Sequence, residues 1–322
     1  MGADHASILQ RYVSGGEVEL LADLALDRAR SVAEPLDCRV TGDPLALIAD
    51  RAVDAVVIAS HDSTHAEFVR ACVRAGKPVL CEKPLSPTLE EAAAVISDIG
   101  DQAELVSLGF MRRFDPGYVA LKSSIMGGAI GLPVLLHSTG RGVSGGPGRT
   151  NENSITNSAI HDLDIVPWLL GSPVVETSWH APRSSAAADG YQDPQLILLR
   201  TADGVLSTVD IFLNAHYGYD VRCEVIGETG TASLAEPAKI ITDSRLSRGV
   251  AYAADWRPRF AEAYRLELQA WVDALGGADR GPLASAYDGL VASAVADAVI
   301  TSMHSDGARV RVEVPTIRGA AR

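Results

Sequence analysis

The sequence predicts an α/β protein. A parallel-sheet domain spans residues 1–108, and an α+β domain with an open, mostly antiparallel sheet spans residues 109–322. Three observations predict it. Before residue 110, apolar runs alternate with amphipathic helical stretches, the pattern of βαβ units. After residue 110, strand-like runs follow one another with turns between them and helices at the flanks, which reads as α+β. The 322 residues are 47% hydrophobic and 21% charged, enough apolar material for two domain cores.

In the first half, Ala6 to Tyr12 reads as a helix and Val18 to Asp23 as a short strand ending in an acid. Ala25 to Glu34 is helical. Val53 to Ser60 (VDAVVIAS) is a nearly continuous apolar run, as expected for a strand buried on both faces. His65 to Ala75 is a helix closed by Gly76, which suits the left-handed residue after a helix end. Pro78 to Cys81 and Leu105 to Phe110 are two further buried strands. Between them, Leu89 to Ile99 opens after Thr88 with Glu91 three residues later, a capping box.

In the second half, Asp115 to Met126 reads as a helix and Pro133 to Thr139 as a strand. Gly140 to Gly148 is a glycine-rich loop, and Ser158 to Leu170 is a helix stopping at Gly171. Five strand-like runs follow: Val174 to His180, Gln195 to Thr201, Val205 to Leu213, Asp220 to Gly227 and Thr231 to Leu234. Ser184 to Gly190 is an exposed loop. Two helices, Phe260 to Leu275 and Tyr287 to Ser305, precede a last strand, Val310 to Val314.

Charge narrows the partners. Lys plus Arg number 28 against 41 Asp plus Glu, a net charge of −13. That balance disfavours a phosphate backbone or an anionic membrane and favours a neutral small molecule. Cys38, Cys72, Cys81 and Cys223 form no CxxC pair and no zinc-spaced cluster, so no metal is expected. Buried thiols in a reducing cytoplasm are the expectation. No apolar run of about 18 residues suggests a membrane span. Lysine occurs at four positions, Lys77, Lys83, Lys122 and Lys239, so a Lys in a specific loop carries extra information.

A dinucleotide-binding fold opens with strand, GxGxxG and helix. Its glycines let the pyrophosphate approach the helix N-terminus. Here Gly2 precedes the first helix, and Asp23 ends the next strand about twenty residues on, where an acid binds the adenosine ribose. Gly2 therefore reads as the last glycine of the fingerprint, with the first strand and the other glycines missing from the chain. Two readings follow: Met1 is an internal start within a longer protein, or the protein is a degenerate one. Asp23 would accept the ribose hydroxyls of NAD and repel the 2′-phosphate of NADP. The alternative is that it caps the following helix.

Two clusters carry chemistry. Cys81-Glu82-Lys83-Pro84-Leu85 follows directly on an apolar strand, and ligands in such sheets bind beyond the carboxyl ends of strands. A Lys83 ammonium there can hydrogen-bond a substrate hydroxyl and ease its deprotonation. Asn157, His161 and Asp164 fall at i, i+4 and i+7 of a helix, with Trp168 a turn further, so they share one face. A His on such a stripe can serve as a general base. Taken alone, the first cluster is more often a surface turn, and the second more often a solvated helix face with an incidental His.

Together these motifs resemble the inositol dehydrogenase branch of the Gfo/Idh/MocA family. The resemblance rests on the EKP tripeptide after a strand and on the helix carrying His161-Asp162-Leu163-Asp164 and then Trp168. Gly109 to Asp115 (GFMRRFD), Tyr217-Gly218-Tyr219-Asp220, Cys223 to Glu228 and Phe260 to Trp271 add to it. It implies a Rossmann-like N-terminal domain and an α+β domain whose open sheet mediates oligomers, usually tetramers. It implies an NAD-dependent enzyme that oxidises a ring hydroxyl of a cyclitol, with myo-inositol expected ahead of scyllo-inositol, glucose or another sugar. A non-catalytic dinucleotide- or sugar-binding relative is the alternative from another class.

The resemblance also implies site roles. Lys83 matches the family's catalytic Lys and His161 its catalytic His. The family commonly has Asp four residues before that His; Asn157 stands there, and an amide can orient a hydroxyl without relaying a proton. Gly2, Asp23, Ser60, Glu82 and Lys83 would bind the cofactor. Arg112, Asn157, Asp164 and Tyr219 would bind the substrate's other hydroxyls.

Overall fold

The computed structural model describes residues 1–235 and 240–317. The chain divides into two compact units. One comprises Met1–Phe114, Glu262–Ser293 and the described residues from Val314 on; the other comprises Asp115–Ala261 and Ala294–Glu313. The first unit thus takes in a segment from late in the sequence, which a linear split of the chain does not convey.

The first unit alternates helix and strand. Its elements are α1 (Gly2–Tyr12), β1 (Leu20–Ala22), α2 (Leu26–Ala33), β2 (Arg39–Thr41), α3 (Pro44–Ala49) and β3 (Val56–Ile58). Then come α4 (His65–Arg74), β4 (Val79–Glu82), α5 (Leu89–Ile99) and β5 (Val106–Gly109). All pairings among β1 to β5 are parallel, as βαβ connections require. The parallel sheet is in two pieces: β1 pairs with β2, and β3, β4 and β5 form the other with the short strand Ala284–Ser285 added antiparallel to β5. Among the described residues no strand joins β1 to β3. Every residue of β4 and β5 is buried, which is why both read as continuous apolar runs. One core cluster gathers Val13, Leu80, Phe114, Leu268, Trp271 and Leu283. Each such large apolar side chain contributes about 1.5–3 kcal/mol on burial.

Helix starts follow local chemistry. The Thr88 hydroxyl accepts from the Glu91 N–H at 3.2 Å, so the expected cap on α5 forms. Asp43 caps α3, a helix with Pro44 at its first position, by accepting from Leu45 and Ala46. The sequence reading missed both β2 and α3, which are three and six residues long. The α1 helix begins at Gly2, four residues before the expected Ala6.

In the second unit, α6 (Pro116–Met126) is capped by Asp115, and β6 (Pro133–Arg141) follows. A short α turn, α7 (Asn151–Ser154), a π turn (Ile155–Ala159) and α8 (Ile160–Leu170) run on continuously. Then come β7 (Val174–His180), β8 (Gln195–Thr201), β9 (Leu206–Phe212), β10 (Asp220–Gly227) and β11 (Thr231–Ser233). The hairpin β12 (Ile241–Ser244) and β13 (Ser247–Val250) was not foreseen. The chain continues through α9 (Trp256–Leu275), kinked at Phe260, then β14 (Ala284–Ser285), α10 (Ala286–His304) and β15 (Val310–Arg311).

Seven strands form one open sheet in the order β11-β10-β6-β9-β8-β7-β15, antiparallel except for β6 and β9. Strict alternation of buried and partly exposed residues along β8 and β9 shows one face packed and the other open. The α8 helix is tied to this sheet by Asp162, 1% exposed, which accepts a 2.6 Å bond from the Ser138 hydroxyl of β6. Gly171, at φ 65°, ends α8 in the left-handed conformation that glycine adopts without strain. Among the described residues, no helix is long and apolar enough to cross a membrane.

Candidate active site

In the first unit, the candidate residues gather at the carboxyl ends of the parallel strands. Asp23 follows β1, Ser60 follows β3 and Lys83 follows β4. Beyond β4 the chain leaves regular structure until α5, and the Lys83–Pro84 peptide is cis.

Glu82 is buried, and both its carboxylate oxygens are engaged. Oε1 lies 2.7 Å from Nε2 of His5, and Oε2 accepts from the Lys83 N–H at 3.3 Å. Burial raises the Glu82 carboxyl, but the His5 hydrogen bond and the charge of neighbouring Lys83 outweigh it and hold the carboxyl below its ordinary value. Glu82 was expected to touch the cofactor. Its carboxylate is buried and bonded to His5 and to the Lys83 N–H. Gly109 on β5 makes this possible: a Cβ there would sit 3.2 Å from Glu82 Cδ and Oε2.

Gly2 is the first residue of α1, and a Cβ on it would lie 3.7 Å from the Ala59 Cβ at the end of β3. The N-terminus of α1 therefore stands over that strand end. The first-turn amides of α1 have no side-chain cap and suit phosphate oxygens. Asp23 does not cap α2, whose N-cap is Ala25. Its carboxylate accepts from Ala25 N at 2.8 Å and from Arg28 Nη2 at 2.7 Å and Nε at 2.8 Å. Hydrogen bonding to Arg28 lowers the Asp23 carboxyl from its ordinary value. Helix-end amides beneath a phosphate and an ionised carboxylate at the ribose distance fit a dinucleotide. Ser60 is exposed; its hydroxyl is 2.6 Å from the Thr64 hydroxyl.

Arg112 is buried in the short turn Met111–Phe114. Its neighbour Arg113 pairs with Asp288 at 3.2 Å. Cys81, flanking Glu82, is buried, and burial raises its thiol well above the ordinary value. A thiol so held has little nucleophilic character.

In the second unit, Asn157, His161 and Asp164 lie along one continuous helical stretch. The simple i, i+4, i+7 spacing does not hold, because Asn157 lies in the π turn and the Ile160 N–H bonds to the Ile155 carbonyl. A π turn spreads the residues around the axis and is common at functional sites. His161 and Asn157 are half-buried, and Asp164 is 4% exposed. Within α8, Trp168 follows Asp164 by one turn; Lys122 sits 4.1 Å above its ring and donates to its carbonyl. Tyr219 pairs with Ala253 in an isolated bridge, and its ring stands edge-on to Phe260 at 6.3 Å.

The sequence reading missed His5, His65, Arg28 and Gly109. His65 opens α4 and is 2% exposed, with Nδ1 2.7 Å from the Pro84 carbonyl. The available signal was a His in the first turn of each of two amphipathic helices, shortly after Gly2 and Ser60.

Known proteins agree with this geometry. Residues 1–110 match a family described as an oxidoreductase family with an NAD-binding Rossmann fold, Gfo/Idh/MocA. Residues 118–233 match the Gfo/Idh/MocA C-terminal domain. The chain is 52% identical to inositol 2-dehydrogenase 2 of Paenarthrobacter aurescens over 97% of this chain and 96% of that protein. It is 47% identical to inositol 2-dehydrogenase 1 of Saccharopolyspora erythraea over 98% of this chain and 94% of that protein. Among solved structures, myo-inositol dehydrogenase of Lactobacillus casei in complex with NAD(H) and myo-inositol superposes with a TM-score of 0.91 at 32% identity. That match covers 98% of this chain and 95% of the other. An NAD-type strand-end site in the first unit, a polar helix in the second and near-full-length identity place the chain in the Gfo/Idh/MocA family of NAD-dependent oxidoreductases.

Proposed function

We propose that the protein is an inositol 2-dehydrogenase that oxidises a ring hydroxyl of myo-inositol to the 2-ketone with NAD. The observation that carries this reading is near-full-length likeness to inositol 2-dehydrogenases, joined to an ammonium-bearing turn anchored at the end of β4. A cyclitol presents many hydroxyls and no charge, which suits a site of amide, carboxylate, imidazole and phenol groups.

In this reading His161 takes the proton from the reacting hydroxyl. Lys83 hydrogen-bonds the same oxygen and stabilises the negative charge that develops there. Asn157 orients a hydroxyl through its amide, and Arg112, Asp164 and Tyr219 hold others. Gly2, Asp23 and Ser60 bind the cofactor, and Glu82 holds the Lys83 turn. NAD, when bound, accepts the hydride. The domain read at residues 1–108 carries the cofactor, and the one at 109–322 carries substrate groups and the oligomer contacts. We place the enzyme in the cytoplasm as a homotetramer assembled through the open sheet.

The test is NADH formation from a panel of cyclitols and aldoses, with NAD and NADP. Myo-inositol with NAD should give the highest kcat/KM. Lys83→Ala and His161→Ala should each lower kcat by about 100-fold or more. Near wild-type turnover in either variant removes that residue from the mechanism. Preference for an aldose removes the substrate assignment.

A further inference from the structure

Lys83 stands between two residues that are each held by a buried histidine from a different helix. On one side, His5 of α1 has Nε2 2.7 Å from Glu82 Oε1. On the other, His65 of α4 has Nδ1 2.7 Å from the Pro84 carbonyl oxygen. Each ring is 2% exposed. Regular structure does not fix this segment, since β4 ends at Glu82 and α5 begins at Leu89. Pro84 has no N–H with which to anchor the turn. Its buried carbonyl requires a donor, and His65 is that donor.

Resting on the proposed role of Lys83, we infer that His5 and His65 are positioning residues that fix the Lys83 turn from both sides. His5 acts through the Glu82 carboxylate, and His65 acts through the Pro84 carbonyl. The Lys side chain is a flexible four-carbon stem, so the backbone at its root must be held if the ammonium is to meet one oxygen. A displacement of 1 Å at such a group can cost about 100-fold in rate.

The two rings work through opposite nitrogens. Both His65 nitrogens face carbonyl oxygens, which only accept, so a neutral ring can donate to one of them; the shorter contact, 2.7 Å to Pro84 against 3.2 Å to Ser60, places the hydrogen on Nδ1. A carboxylate also accepts only, so His5 carries its hydrogen on Nε2. Its Nδ1 is buried without a hydrogen-bond partner. Packing alone is indifferent to which nitrogen bears the hydrogen.

That difference makes the test specific. The Asn side-chain nitrogen stands as many bonds from Cα as histidine Nδ1, and the Gln nitrogen as many as Nε2. In the full chain, His5→Gln and His65→Asn should keep kcat within about threefold of wild type, while His5→Asn and His65→Gln should lose about tenfold or more. KM for myo-inositol should stay within about threefold in all four, because positioning acts on the reacting centre. In the wild-type protein, long-range 15N–1H NMR should show His5 protonated on Nε2 and His65 on Nδ1, a readout independent of turnover. Lys83→Ala serves as the control.

If Lys83→Ala is inactive while all four histidine variants keep wild-type kcat, the positioning roles are overturned and the role of Lys83 stands. If Lys83→Ala keeps turnover, both fall. The same ranking of Asn and Gln at both sites marks a packing role and overturns the inference. If variants fail to fold, the tautomers of the wild-type rings decide it, and the reverse pattern overturns it.

Discussion

Glu82→Gln preserves size and shape and exchanges one acceptor oxygen for an NH2 group. Two donors face the wild-type carboxylate: His5 Nε2–H at 2.7 Å and the Lys83 N–H at 3.3 Å. An amide has one oxygen. With that oxygen toward His5, the NH2 group meets the Lys83 N–H. With it toward Lys83, the NH2 group faces Nε2, which can accept only if the ring hydrogen moves to Nδ1. Nδ1 is buried and has no partner. Either arrangement strands one buried donor, at about 1–3 kcal/mol. Removing the desolvated charge offsets part of the loss, so the variant should be about 2 kcal/mol less stable than wild type near neutral pH.

The pH dependence has a definite sign. The folded-state carboxyl of Glu82 lies below its ordinary value. Its stabilisation is therefore fully present above the unfolded-state value of about 4.3 and is lost as pH falls through the folded-state value. The gap between wild type and Glu82→Gln should narrow on acidification. Urea unfolding at fixed protein concentration, near neutral pH and at about pH 4, measures both. A variant as stable as wild type near neutrality, or a gap that stays constant with acid, refutes the two-donor reasoning.

Asp115→Ala removes the cap bonds to Gly117 and Tyr118 and the 2.7 Å pairing of this buried carboxylate with half-buried Arg259. Loss of the cap costs about 1 kcal/mol and breaking the buried pair about 3–5, so urea unfolding should show a loss near 4 kcal/mol; Asp115→Asn, which retains the cap, should lose less. Gly109→Ala should destabilise by about 1–3 kcal/mol, because its Cβ presses on the pinned Glu82 carboxylate; calorimetry reads this as a lower Tm. Asp23→Asn removes a carboxylate that Arg28 grips through two nitrogens. Steady-state kinetics should show KM for NAD rising about tenfold, with NADP losing less because Arg28 is released toward the added phosphate.

Much of the architecture was legible in the chain because burial on both faces leaves a one-dimensional trace. The runs around Val56–Ile58, Val79–Glu82 and Val106–Gly109 read as parallel strands, and β7, β8 and β10 start and stop where their strand-like runs do. Short elements left too little pattern. Three-residue β2 and six-residue α3 are held by their neighbours rather than by periodicity. The exposed β12–β13 hairpin has no buried face to write a pattern at all.

The sequence by itself determined the fold class and the family, and it put forward Lys83 and His161 as candidates, since each sits at a fixed offset from a recognisable strand or helix. Only the tertiary structure decided what Glu82, His5 and His65 touch. Seventy-seven positions separate His5 from Glu82, which lie 2.7 Å apart, and a pairing across such a separation exists only after the strands have stacked the helices over their ends. The same holds for Asn157, whose relation to His161 is set by a π turn. Local sequence selects helix there, but the surrounding packing fixes how many residues the turn contains.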